Sequence, residues 1–391
     1  MPATLHSRTE YDVVVVGARA AGAATAMLLA RRGLRVLAID RSRLGADTLS
    51  THALMRAGVL QLHRWGVLPD VIAAGTPPVR RTTFTYATER VVVGVKEYAG
   101  VDALYAPRRT VLDPILVDAA AAAGADVRFG VTVTELLRDV RCRVTGVLAR
   151  GEHGRAVRFG ARLVVGADGM RSTVAARVGA PVERRGTGAF AATYGYWSGV
   201  ESDGYEWIFR RDGCAGVIPT NEGQICVFAV ASPQRIGRGG VDVINDVLAA
   251  VAPDVAARIA AGVAPAGARS FAGHPGFIRR SFGPGWALVG DAGYWKDPIS
   301  AHGLTDALRD AELLARAVVQ VDLDDDAGRL EALAEYQATR DRLSAQLFET
   351  VDEIARHQWT DGEIGALLLR LSTAMAEEVD ALTGLDAAPL R

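Results

Sequence analysis

Three short stretches of the chain carry residues able to hold a small molecule and work on it. The first is Gly17-Ala-Arg-Ala-Ala-Gly22. Glycine at both ends allows a tight turn and close packing of helix on strand, and the free N–H groups of the following helix favour a pyrophosphate. Asp40, 23 residues after Gly17, stands where a carboxylate grips ribose hydroxyls. The second stretch is Asp168-Gly169, a tight turn followed by Ser172, a residue type that caps helices. The third runs from Gly290-Asp291 through Pro298 to Gly303-Leu304 and leads into a long helical segment. Each is ordinary loop chemistry alone; their order and spacing in one chain are not. Arg19 occupies the middle position, where glycine normally lets the backbone approach the phosphates. Its side chain is expected beside the dinucleotide or at the cleft mouth, and Arg19→Gly is expected to retain the dinucleotide at least as well.

The elements that must position these residues follow from hydrophobic spacing. Residues 11–16 form a β-branched run ending in glycine, residues 20–32 have helical spacing closed by Gly33, and residues 34–40 form a second strand. Further buried strands are expected at 162–166 and 286–290, with helices at 173–178 and 304–320. Residues 82–96 and 189–231 are instead rich in strand formers and aromatics broken by turn residues, giving candidate strands at 84–87, 91–95, 189–197, 205–211, 215–219 and 224–230. Two more helices, 330–358 and 362–377, read as scaffold or dimer packing. The pattern predicts an α/β protein. A Rossmann-like domain (1–80, 98–185 and 270–325) is interleaved with a mainly antiparallel β-sheet substrate domain (81–97 and 186–269), and C-terminal helices occupy 326–391.

Composition narrows the function. The chain has 391 residues and formal charge −1, from 44 Lys+Arg against 45 Asp+Glu. That balance gives no electrostatic ground for nucleic acid or an anionic membrane as partner. Cys142, Cys214 and Cys226 lack CxxC spacing, so they read as small buried hydrophobes in a reducing compartment, and no metal site is expected. The apolar stretch 13–30 holds Arg19 and two glycines, which suits strand, turn and helix better than a membrane span. A cytoplasmic monomer or homodimer without stable membrane insertion, acting on a small molecule, is expected.

In order and spacing, the three segments resemble those of the FAD-dependent group A aromatic hydroxylases, the para-hydroxybenzoate hydroxylase-like flavoproteins. Geranylgeranyl reductases and flavin-dependent halogenases share that scaffold, and the resemblance covers roughly the whole chain. It implies a Rossmann-like FAD-binding domain, with NAD(P)H as transient reductant. On this likeness Gly17, Gly22 and Asp40 are the pyrophosphate and ribose contacts, and Arg56, Arg109 and Asp168-Gly169 approach the cofactor; Arg19, Ala21, Arg41 and Val133 are further cofactor-binding candidates. Asp291 would bond the ribityl chain, Pro298 would line the flavin face, and Gly303 and Leu304 would offer N–H groups to the pyrimidine end. A helix start there favours the negative charge of reduced flavin. Trp295 stands where many relatives carry His, and His302 where Gly or Gln is frequent.

The resemblance also implies chemistry. NAD(P)H would reduce the flavin, oxygen would form a C4a-hydroperoxide, and an aromatic or polyketide-like substrate would be hydroxylated. Pro298, His52 and His302 are the catalytic candidates. By residue type His52 and His274 are possible proton-transfer groups, and His52, one helical turn before Arg56, is the better placed. Tyr194, Tyr196, Trp207, Phe209 and Trp295 are the candidate substrate contacts. The alternatives are a geranylgeranyl-type reductase, a halogenase (disfavoured because no WxWxIP segment is present) and a non-catalytic electron-relay flavoprotein.

Overall fold

The computed structural model describes residues 9–151 and 154–385. Strand Thr9–Val16 lies at the centre of a parallel sheet, between Val36–Ile39 and Ala156–Gly166. Asp126–Arg128 and Trp286–Leu288 extend the sheet in the same direction. Val13 and Val15 point to a core shared with helix Ala20–Ala30, while Val14 and Val16 point to the opposite core with Val147 and Val174. Two-sided burial is why this strand reads as an unbroken valine run. The first half of Ala156–Gly166 pairs with an antiparallel ribbon, Thr132–Arg138 and Val144–Arg150, which covers the second face.

The second sheet has seven strands, in the order Arg269–Phe271, Ala191–Ser198, Gln224–Ala231, Gly213–Pro219, Tyr205–Arg210, Arg81–Tyr86, Glu89–Gly94. All its pairs are antiparallel except that between Tyr205–Arg210 and Arg81–Tyr86, which is parallel because residues 98–185 intervene between the two strands. The expected α/β architecture, with its antiparallel sheet and C-terminal helices, is the one observed. Not read from sequence were helices Val241–Val251 and Pro253–Ala260, which bury Ile244, Leu248 and Ile259 on the back of this sheet against Trp197, Ile208 and Val227.

Three helices close the fold: Gly303–Val319, Asp326–Ala355 and Asp361–Gly384. The last starts at a Thr360/Glu363 capping box and runs seven residues past the expected end. No helix among the described residues is long and apolar enough to cross a membrane. Cys214 and Cys226 are buried as expected, but Cys142 is exposed, since it sits with φ +62 in the turn between the two ribbon strands.

Candidate functional site

The carboxyl ends of the parallel strands open onto a groove, the place where α/β sheets bind ligands. Its walls include Gly17, Arg19, Ala21, Asp40, Arg41, Arg109, Val133, Asp168, Gly169, Asp291, Pro298, Gly303 and Leu304. Gly17 has φ +98, and a Cβ there would lie 2.5 Å from the Ala167 carbonyl oxygen. At Gly22 a Cβ would lie 1.8 Å from the Gly17 carbonyl oxygen, so Gly22 serves the turn by close packing and does not itself line the groove. The Asp40 carboxylate accepts from Ala18 N at 2.9 Å and Ser42 N at 2.8 Å, fixing the turn to the second strand. Asp168 accepts from Thr173 N at 2.6 Å and from the Ser172 hydroxyl, whose oxygen in turn accepts from Ala175 N at 2.9 Å. Ser172 is thus the expected cap, and Asp168 fixes the start of the same helix.

Arg19 Nη1 is buried and has no hydrogen-bond partner among the described residues, while the residue lines the groove. A guanidinium left without a protein acceptor beside a glycine turn fits an anionic ligand such as a pyrophosphate. Arg109 is held in a two-point pair by Asp113, both contacts 2.9 Å.

At the other end of the groove Gly290 takes φ +56, its N–H donating to Asp310 Oδ2 at 3.1 Å. The Asp291 carboxylate has no hydrogen-bond partner among the described residues, and burial raises its pKa to about 6 against the pull of Lys296 and Arg109. Asp297 accepts from Phe190 N at 2.7 Å and Ile299 N at 3.0 Å, locking the loop that presents Pro298. Behind this loop lies a buried charge network. Asp306 pairs with Lys296 and with Arg309 Nη1 at 3.0 Å; Arg309 also reaches Asp310 at 2.8 Å and Glu378 at 2.8 Å. His302 Nδ1 stands 3.2 Å from Asp306 and Nε2 3.0 Å from Glu378. His302, Asp306 and Glu378 have ligand atoms close enough to hold a metal ion, but Arg309 already pairs with both carboxylates. Lys296 and Glu378 were not read from sequence; the signal available for Lys296 was the rarity of lysine in this chain.

His52 also lines the groove. It adopts φ +68, a conformation unusual for a non-glycine residue. Its ring stacks on Tyr196 at 5.6 Å with Nε2 bonded to the phenol, and buried Nδ1 has no hydrogen-bond partner among the described residues. Burial, reinforced by the charges of Arg109, Arg108 and Arg269, lowers its pKa to about 3, so the ring is neutral. Tyr194 and Tyr196 support this histidine instead of lining either cavity: Tyr194 OH accepts from Ser50 N at 3.1 Å, and Arg108 lies 4.1 Å over the Tyr196 ring. Trp295 lines the groove and donates Nε1–H to the His274 carbonyl at 3.2 Å.

A second cavity of about 550 Å³ adjoins the Ile299–His302 loop. Tyr205, Trp207 and Phe209 form one wall, since alternation puts them on one sheet face. The facing wall is the C-terminal helix, with Leu368, Leu371, Met375 and Val379. That helix therefore lines a cavity, a part the sequence reading did not give it. His302 and Arg56 border this cavity and not the groove; Arg56 Nη1 donates to the Val101 carbonyl at 3.1 Å.

A glycine turn, an orphaned guanidinium and a helix start face one groove, an arrangement that fits a dinucleotide. The chain belongs to the FAD binding domain family, whose profile matches residues 10–351, and it is an FAD-dependent oxidoreductase. It is 26% identical over 341 residues to digeranylgeranylglycerophospholipid reductase 1 of Methanococcoides burtonii, covering 81% of this chain and 77% of the relative. To aklavinone 12-hydroxylase DnrF of Streptomyces peucetius it is 29% identical over 238 residues, 56% of this chain and 45% of the relative. Among solved structures, the flavin-dependent brominase Bmp2 superimposes with TM-score 0.77 at 18% identity, covering 97% of this chain and all of that one. PqsL, a probable FAD-dependent monooxygenase from Pseudomonas aeruginosa, gives TM-score 0.74 at 21% identity, covering 94% and 100%. At such identities the superpositions establish the fold alone.

Proposed function

We propose that this chain is an FAD-dependent reductase that saturates a carbon–carbon double bond in an apolar small molecule, with NAD(P)H as the source of electrons. The observation that carries this reading is the second cavity, whose Ile299, Leu368, Leu371, Met375 and Val379 wall adjoins the loop bearing Pro298. Its volume is that of a small-molecule site, roughly 300–1,000 Å³. The relatives named as reductases align across most of both chains, whereas the hydroxylase aligns over 45% of its own length. Bound FAD would supply the hydride chemistry, with Arg19 and the Gly17 turn holding the pyrophosphate and Gly303 and Leu304 the pyrimidine end. The chain's own part is to orient the double bond, keep water out and furnish a proton.

Hydroxylation of an aromatic or polyketide-like molecule is the second reading, favoured by the aromatic wall of Phe84, Trp207 and Phe209. Anaerobic incubation of holoprotein with NAD(P)H and a panel of isoprenoid and polyketide substrates separates the two. Saturated product without oxygen supports the reductase. Turnover that requires oxygen and consumes it one for one with NAD(P)H would replace it with the hydroxylase. A small-molecule partner, cytoplasmic location and a monomeric or dimeric state belong to the same proposal.

A further inference from the structure

Of the chain's 44 Lys and Arg residues only two are lysine, Lys96 and Lys296. Arginine is therefore this protein's ordinary cation, and both lysines border cavities. Lys96 is exposed at the mouth of the apolar cavity. Lys296 is buried, with 4% of its side chain exposed, in the groove wall beside Asp291, Pro298 and Gly303. The two cations differ in one respect that matters here: a guanidinium does not release a proton in proteins, whereas a buried ammonium does.

We propose that Lys296 is a proton-exchanging group of the flavin groove, binding a proton at Nζ when two electrons enter the cofactor and releasing it on reoxidation. The electrons come from a nicotinamide dinucleotide or a chemical reductant, and the proton from solvent. Negative charge arriving on the reduced ring favours the ammonium; its departure favours the amine, so charge balances in both directions. The groups facing Nζ suit this exchange. Asp291 and the Tyr294 ring come from the Gly290 corner, with Nζ 4.8 Å from the ring centre. Asp306, Arg309, Asp310 and His302 come from the Gly303–Val319 helix and its cap, and Glu378 from the C-terminal helix. Burial, aided by the Arg309 charge, brings the lysine down to about 7, opposed by Glu378, Asp291 and Asp310. The inference rests on the flavin site and is independent of whether an alkene or oxygen accepts the electrons.

Two lysines make the test direct. Protein labelled with [15Nζ]lysine is loaded with FAD, uptake being read from its yellow absorbance, and the two side-chain signals are assigned with Lys96→Arg. The Lys296 signal should titrate near neutral pH with oxidised flavin and shift upward by at least one pH unit after anaerobic dithionite reduction. In Lys296→Arg saturated with FAD, proton uptake per two electrons near pH 7, read from the pH slope of the flavin midpoint potential, should fall by up to one. Failure of FAD to bind would defeat the cofactor assignment itself. FAD binding with a Lys296 signal that stays charged, or does not shift on reduction, overturns this proposal alone.

Discussion

Arg19 is the residue at which the structure bears most directly on an expectation. By its position in the turn it replaces a glycine, and Arg19→Gly was expected to hold the dinucleotide at least as well. Its buried, unpartnered Nη1 in the groove wall argues the opposite. A charge-assisted hydrogen bond contributes about 1.5–3 kcal/mol, so Arg19→Gly should weaken FAD binding about 10- to 100-fold in an absorbance titration. Unchanged affinity would mean the side chain serves no phosphate. His52 yields a pH prediction. Its folded pKa of about 3 lies below the ordinary 6.5. Between those values the unfolded chain binds a proton that the native protein refuses, so this group's contribution to stability is present above 6.5 and lost as pH falls toward 3. Denaturant unfolding of His52→Gln should show a shallower loss of stability across that window. An identical slope would mean the ring is not buried neutral.

At the scale of elements, the approach of helix Ala20–Ala30 to its strand rests on Gly22, where a Cβ would lie 1.8 Å from the Gly17 carbonyl oxygen. Gly22→Val should push the helix off the turn and abolish FAD uptake, and a yellow, fully loaded variant would refute the close-packing role. The C-terminal helix makes a separable contribution. Met375→Trp fills the apolar cavity without touching the groove, so it should raise the KM for an apolar substrate at least tenfold while FAD affinity stays unchanged. If KM does not move, that cavity is not the substrate site.

For the whole molecule, the buried network ties the last helix to the groove, because Glu378 pairs with Arg309 at 2.8 Å and stands 3.0 Å from His302. Removing one partner from such a network leaves charge uncompensated in the interior, a loss of about 3–5 kcal/mol. Glu378→Ala should lower the thermal midpoint of the FAD-saturated protein by several degrees, while Glu377→Ala, one residue away and exposed, should not. Equal midpoints would show that the network is incidental to stability.

Much of this was written locally. The glycine turn, the Ser172 cap, the valine strand and the aromatic alternation of Tyr205, Trp207 and Phe209 are set by φ/ψ needs, capping and two-residue periodicity, which neighbouring residues determine among themselves. Helices Val241–Val251 and Pro253–Ala260 carried a local signal too, in the spacing of Ile244, Leu248 and Val251, although they were not read. Other features depended on which distant elements meet. Nothing near residue 378 reveals that its carboxylate faces His302, 76 positions earlier, or that Leu371 and Met375 oppose Trp207. Tyr194 and Tyr196 were legible as aromatics on a strand, but only packing against residues 48–52 made them supports for His52. The sequence by itself determined the cofactor scaffold, because pyrophosphate binding is a property of one turn and one helix start. Tertiary structure alone decided the cavity walls and the charge network, because burial and pairing exist only once separate helices and sheets close on one another.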